Sequence, residues 1–196
     1  MIIFGLGNPG SRYRLTRHNA GRLFLDQLAR YYKKRFVRKP GYTISAVRIK
    51  GNHVLLIKPV CWMNLCGASI EQIVRQRRGE FMIVMDDIDL PLGRMRLRSK
   101  GGDGGHRGLR SLIEALKTDE FPRLRIGIGQ GQGAGTRIDA AEYVLQKFTR
   151  EELIVLRRIL REAIKGIQLM VTGGFHKAQN YINSANCTDV DQGINA

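Results

Sequence analysis

No apolar run in this chain approaches the roughly 20 residues a helix needs to cross a bilayer, which argues against a membrane-spanning protein. No charged-then-apolar leader opens it either. Met1 leads straight into a strand pattern, and a cytoplasmic location is the expectation. Cysteine is scarce and odd in number (Cys61, Cys66, Cys187), with no zinc-ligand spacing. Cys61 and Cys66 are close enough in sequence to pair, but free thiols in a reducing compartment are the simpler reading. No Gly-Lys-Ser/Thr follows any glycine loop, which removes a phosphate-binding P-loop. A Gly-x-Ser-x-Gly elbow is missing, and neither Cys61 nor Cys66 has an adjacent basic feature marking it as a nucleophile. There is no internal repeat and no linker long enough to divide the chain.

What remains is 196 residues, enough for one domain with a real core: residues 1–184, followed by a polar tail at 185–196. The hydrophobic share, 43%, is ordinary for a globular chain. The charge is not ordinary. Lys and Arg number 33 against 17 Asp and Glu, a net +16, with a pI near 10.4. So much like charge repels itself unless a polyanion compensates it, which makes nucleic acid the leading partner and an anionic membrane surface the lesser one.

Strand and helix patterns alternate along the chain. Residues 2–6 read as a buried strand, 19–35 as an amphipathic helix, and 43–49 with 54–58 as a hairpin turning at Gly51-Asn52. A helix follows through Ile70, Ile73 and Val74. Phe81 to Met85 is an uninterrupted apolar run, typical of a strand covered on both faces. Its end carries Asp86-Asp87-Ile88-Asp89, and Leu90-Pro91-Leu92-Gly93 reads as a turn. Further strands are expected at 95–98 and 124–128, and a helix at 109–116. Glycine-rich loops lie at 100–108 and 127–135, and 138–145 reads as a short helix or turn. Thr149 can cap a long helix with Glu151 and Glu152 in its first turn, ending at Gly173-Gly174. A last helix runs from about 175 to 182. The expected class is α/β, a single domain with a twisted, mixed and mostly parallel sheet flanked by helices.

Gly5-x-Gly7-x-x-Gly10 matches the dinucleotide fingerprint after a strand, but Pro9-Gly10-Ser11 leads into more loop where that fold needs a helix. The next strand also ends at Lys50-Gly51-Asn52, without the acid that would hold a ribose. A better constellation is distributed over strand-end loops: Asn8, His18-Asn19, Asn64 and Asp86. A histidine held by a carboxylate can act as a general base, and neutral amides can hold a carbonyl and stabilise an oxyanion. With no covalent nucleophile in view, this set suits direct attack by water on an acyl group. Taken singly these residues have blander readings: His18 as a helix cap, Asn8 as a turn residue beside Pro9, and Asp86, Asp87 and Asp89 as a solvated turn or Mg²⁺ ligands.

Several stretches together resemble the bacterial-type peptidyl-tRNA hydrolase family. They are Gly5-Leu6-Gly7-Asn8-Pro9-Gly10, Tyr13, Thr16-Arg17-His18-Asn19-Ala20-Gly21, Pro59 with Trp62-Met63-Asn64-Leu65-Cys66-Gly67, Asp86 to Gly93, Gly104-Gly105-His106-x-Gly108-Leu109, and Phe121 to Gly129. The resemblance covers almost the whole chain. It implies a monomer that hydrolyses the ester joining a peptide to the 3′-terminal ribose of peptidyl-tRNA, recycling tRNA from stalled ribosomes, with no metal and no organic cofactor. It implies His18 as the base that activates water and Asp86 as its support. Asn8 and Asn64 would hold the peptide backbone and polarise the ester carbonyl, with Tyr13, Met63 and His106 lining the site. Arg98 and Arg125 match positions that hold the tRNA 5′-phosphate. Arg94, Arg96, Lys100 and Arg123 also flank the expected cleft and are candidates for acceptor-stem phosphates.

Two positions depart from the family pattern. Arg107 stands where asparagine is usual; a guanidinium only donates hydrogen bonds, so it would steady an oxyanion or a phosphate instead of accepting a bond from water. Asp103 adds negative charge near phosphate-binding loops, offset by Lys100 and Arg107. Two other functions stay open at this point: a non-catalytic RNA-binding protein on the same fold, and, remotely, a nicotinamide-dependent oxidoreductase.

Overall fold

The apolar opening forms β1 (Ile2–Gly5), whose four residues are all buried. A computed structural model describes residues 1–129 and 139–188. Most of the expected glycine-rich loop 127–135 and most of the expected tail 185–196 lie outside the described residues. After β1 come α1 (Ala20–Tyr31), β2 (Val37–Lys39), β3 (Tyr42–Ile49), β4 (Asn52–Pro59), α2 (Cys66–Arg77) and β5 (Phe81–Pro91). The chain continues through β6 (Met95–Arg98), α3 (Arg107–Leu116), β7 (Arg123–Gly129), α4 (Ala140–Tyr143), α5 (Arg150–Gly173) and α6 (Phe175–Ser184).

The strands make one seven-stranded sheet in the order β2-β3-β4-β1-β5-β7-β6. Its centre, β4-β1-β5-β7, is parallel, while β2 and β3 on one side and β6 on the other pair antiparallel, giving a mixed, mostly parallel sheet. The pleat of β5 feeds two cores. Met82 and Val84 join Phe24 and Leu28 of α1 and Ile159 and Ile167 of α5; Ile83 and Met85 join Ile70 of α2 and Leu112 of α3. Helices therefore cover both faces, as a parallel centre requires. No helix among the described residues is long and apolar enough to cross a membrane.

Two expectations need correction. β2 has no counterpart in the sequence pattern, because all three of its residues are exposed and carry no apolar alternation. β5 does not stop at Met85. Pairing with β7 continues through Asp86↔Ile126 and Asp87↔Gly127 and, after a register shift, reaches Pro91↔Gly129. Glycine makes this possible: a Cβ at Gly127 would collide with the Pro91 carbonyl oxygen. Asp86 and Asp87 therefore sit within a strand and are buried, at 2% and 6% exposure, not solvated on a turn.

Close approach at Gly21 docks α1. A Cβ there would collide with the carbonyl oxygen of Val84, so the first turn of α1 lies directly on β5. That contact brings the segment just before α1 over the carboxyl end of β5, and brackets the crevice where strand connections diverge from β1 to β4 on one side and β5 on the other.

Candidate active site

His18 lies in a single 3-10 turn, Arg17–Asn19, immediately before α1. Its backbone N–H donates to the Val144 carbonyl at 2.8 Å, and that of Arg17 to the Gln146 carbonyl at 3.0 Å, tying the turn to the segment between α4 and α5. Arg17 adds a side-chain anchor. Its guanidinium donates to both carboxylate oxygens of Glu152 (2.6 and 2.8 Å) and to the Lys147 carbonyl (2.8 Å), and it lies over the rings of Tyr143 and Phe148. The same Glu152 closes a capping box with Thr149 at the start of α5. Arg17, 4% exposed, is thus a buried bolt between the His18 turn and α5.

The His18 ring faces Asp86. Nδ1 lies 3.0 and 2.9 Å from the two carboxylate oxygens, and His106 Nε2 is 3.1 Å from Oδ1. The tautomers follow from the partners. His106 Nδ1 accepts the Leu109 backbone N–H at 3.1 Å, so its proton is on Nε2, which donates to Asp86. His18 donates its Nδ1–H to the same carboxylate, leaving the Nε2 lone pair free. Burial by itself pushes the Asp86 carboxyl up. The two imidazoles and their hydrogen bonds outweigh that and hold it well below the usual carboxylate range. The three groups lie within 4.8 Å of one another, a spacing that would also suit a metal. A metal on His106 Nε2 would leave a proton on Nδ1 facing the Leu109 N–H, so the hydrogen-bonded reading fits these residues better.

The amides are fixed in a second network. Asn19 clamps the Asn8 backbone, accepting its N–H at 2.8 Å and donating to its carbonyl at 3.0 Å. The Asn8 side-chain oxygen in turn accepts the Met63 N–H at 2.9 Å. That bond commits the oxygen and turns the NH₂ group toward the cleft. It also joins the β1 loop to the 3-10 turn Met63–Leu65, which presents the exposed Asn64. Asn19 therefore acts on the site through Asn8. The sequence places it beside His18 but does not show that it faces back across the loop.

His18, Asp86, His106, Asn8 and Asn64 open on one cleft of about 950 Å³. Asn8, Tyr13, His18, Met63, Asn64, Asp86, His106, Arg107, Arg98, Lys100 and Arg125 all line it, whereas Asn19, Arg94 and Arg96, also expected at the site, do not. Trp62, which the sequence gives no site role, also lines it, 52% exposed and edge-on to Tyr13 with ring centroids 5.9 Å apart.

The cations at the rim differ in how free they are. Arg98 and Arg107 are exposed and have no carboxylate partner among the described residues; Lys100 meets Glu120 only at 3.4 Å, with both side chains exposed. Arg125 Nε lies 2.6 Å from the Asp87 carboxylate, whose own acidity is weakened by burial more than Arg125 restores it. Arg123 must be reassigned. It is 2% exposed, and its guanidinium is used up on the carbonyls of Gly101, Asp119 and Phe121, holding the glycine loop against β7. Asp103 is balanced by Arg110 at 3.3 Å, and not by Lys100 or Arg107.

A histidine–carboxylate pair facing a cleft rimmed by guanidinium groups sets the class: an α/β protein whose site is equipped for acid–base chemistry and open to anions. The comparisons make it particular. A family model described as peptidyl-tRNA hydrolase matches residues 2–190. The peptidyl-tRNA hydrolase of Fervidobacterium nodosum is 43% identical over 184 residues, 94% of this chain and 96% of that one. The one from Desulfitobacterium hafniense is 45% identical over 185 residues, 93% and 98%. The crystal structure of peptidyl-tRNA hydrolase from Acinetobacter baumannii matches with a TM-score of 0.87 at 34% identity, covering 95% of each chain. The chain belongs to the peptidyl-tRNA hydrolase family.

Proposed function

We propose that this enzyme hydrolyses the ester between a peptide, or an N-blocked aminoacyl group, and the 3′-terminal ribose of tRNA, with water activated by His18 and Asp86. The observation that carries the reading is the free Nε2 lone pair of His18, fixed by the Nδ1–Asp86 bond and facing the cleft. Nε2 takes a proton from water as its oxygen attacks the ester carbonyl carbon. Asp86 stabilises the imidazolium this creates. The Asn8 NH₂ group, left free by the Met63 bond, donates to the developing oxyanion. As the tetrahedral intermediate collapses, the ribose oxygen leaves and takes the proton back from Nε2. The products are the peptide carboxylic acid and a tRNA with a free 3′-hydroxyl, reusable after release from a stalled ribosome.

Recognition by main-chain-like amides, Asn8 and Asn64, lets one site accept any peptide sequence. Arg98, Arg125 and Lys100 take the tRNA phosphates. Arg107, exposed at the first turn of α3, adds a donor for phosphate or oxyanion. Substituting His18→Ala tests the reading with N-blocked aminoacyl-tRNA, following acyl release. Turnover falls by about 10²-fold or more, the usual loss for a general base, while tRNA binding persists. Unchanged turnover would overturn the assignment.

A further inference from the structure

A second depression, on the other side of loop 11–17 from the cleft, is not used by the mechanism. It runs between α1 and α5, is floored by Leu23, Leu156 and Leu160, and has a volume of about 1330 Å³. Its rim is cationic. Arg14, Arg30, Lys33, Lys34, Arg157 and Arg161 line it, are exposed, and have no carboxylate partner among the described residues. The one acid lining it, Asp26, is held by Lys58 at 2.5 Å. The crowding is built into the fold. Arg157 and Arg161 are four residues apart on α5 and so share a face. Lys33 takes a left-handed backbone (φ 54°) in the turn where Lys33 and Lys34 donate to the Arg30 and Ala29 carbonyls, folding the basic end of α1 onto the groove. With Arg35, seven such cations line one furrow; they repel one another, a cost that a bound polyanion removes.

We infer that this α1–α5 groove binds the phosphate backbone of the substrate tRNA beyond its acceptor end, as a second anchoring surface apart from the catalytic cleft. The inference rests on the proposed substrate. The groove and the cleft lie on either side of one short loop: Tyr13 lines the cleft and the next residue, Arg14, the groove. Along α5 the lining runs from Leu153 to Lys165, an axial length of about 18 Å at 1.5 Å per residue. That is long enough to lie along several nucleotides of one strand of an RNA helix. The apolar floor with a cationic rim suits a backbone that lies along the furrow and contacts its edges, with no reading of bases.

The test uses the intact enzyme and the double variant Arg157→Ala/Arg161→Ala, far from the catalytic groups. Two substrates are compared: full-length N-blocked aminoacyl-tRNA, and the same acyl group on a short oligonucleotide ending in CCA. Uncharged full-length tRNA serves for binding. The variant is expected to bind uncharged tRNA about tenfold more weakly near 0.1 M salt, with the slope of log K against log salt shallower by about 1.5–2, as two lost phosphate contacts require. KM for the full-length substrate rises in step with kcat unchanged, and the short substrate is turned over as by the parent. Equal loss on both substrates, or unaltered tRNA affinity and salt slope, would overturn the proposal. So would unaltered tRNA affinity alongside lost binding to phosphatidylserine vesicles, which would make the groove a membrane contact. Failure of the parent enzyme to cleave either substrate would instead count against the proposed function, and the uncharged-tRNA measurement would still decide the groove.

Discussion

Replacing Asp86 by Asn probes the catalytic wiring most directly, because it changes one atom and little volume. The carboxylate accepts N–H groups from His18 Nδ1 and His106 Nε2. An amide offers one acceptor oxygen and one NH₂. With the oxygen toward His106, whose tautomer is held by the Leu109 N–H, the NH₂ faces His18 Nδ1. His18 must then accept there and move its proton to Nε2, the atom needed as the base. The ring stays in place but carries its proton on the wrong side. A carboxylate-to-amide change with this consequence lowers turnover by about 10⁴-fold in a well-studied triad. Here the second histidine can still share the oxygen, so about 10³–10⁴-fold is expected, or about 4–5.5 kcal/mol of transition-state stabilisation. Stability should fall by only about 1.5–3 kcal/mol, the worth of hydrogen bonds to a charged group. Single-turnover release of the acyl group from N-blocked aminoacyl-tRNA at saturating enzyme measures the rate, and anisotropy with uncharged tRNA measures binding. Turnover within tenfold of the parent, with the variant folded and binding tRNA, would refute the tautomer argument.

Asn8 separates two roles. Asn8→Asp keeps an acceptor for the Met63 N–H but loses the NH₂ donor, so stability is retained while kcat falls by about 10²-fold; Asn8→Ala loses both, and thermal unfolding should show a further cost of about 1–3 kcal/mol for the orphaned Met63 N–H. Acid titration gives a signed result for Asp86. Its folded carboxyl lies below the unfolded value of about 3.8, so its contribution is fully present above that pH and is lost as pH falls toward the folded value. Urea melts of the parent and Asp86→Asn should therefore differ most at neutral pH and converge below pH 3.8; a gap that widens in acid would contradict the assigned direction.

Much of this architecture is legible without coordinates, and what is not has particular causes. The run Phe81 to Met85 announces a doubly covered strand because both pleat faces are apolar. Thr149 with Glu152 announces a helix start because capping is a local affair. The long reach of β5 is hidden, since it depends on glycines in β7 that are remote in sequence. So is the fate of three basic residues that look alike in a chain of net charge +16. Arg17 is buried against Glu152 and two rings, Arg123 is consumed by carbonyls, and Arg98 is free at the rim. Only three-dimensional surroundings sort them. His18 and Asp86 are 68 positions apart; the place of Asp86 at the end of the central apolar strand makes it the best carboxylate candidate, and the family resemblance agrees, but spacing alone does not show that the two converge.

The neighbouring acids Asp86 and Asp87 show how one strand serves two tasks. The pleat sends them to opposite faces, and their surroundings move them in opposite directions: Asp86 is kept ionised by two imidazoles, while burial weakens Asp87 despite Arg125. Two consequences follow for the proposed reaction. His106 draws charge from the carboxylate that supports His18, so Asp86 can stabilise an imidazolium without becoming basic enough to take its proton. The second concerns phosphate. Arg125 meets an incoming anion with its charge partly spent on Asp87, whereas Arg98 and Arg107 have no such partner among the described residues. In the proposed reaction the net attraction at the mouth of the cleft would therefore come chiefly from those two, and Arg107, standing where the resemblance leads one to expect asparagine, would add to the grip on phosphate at the edge of the site.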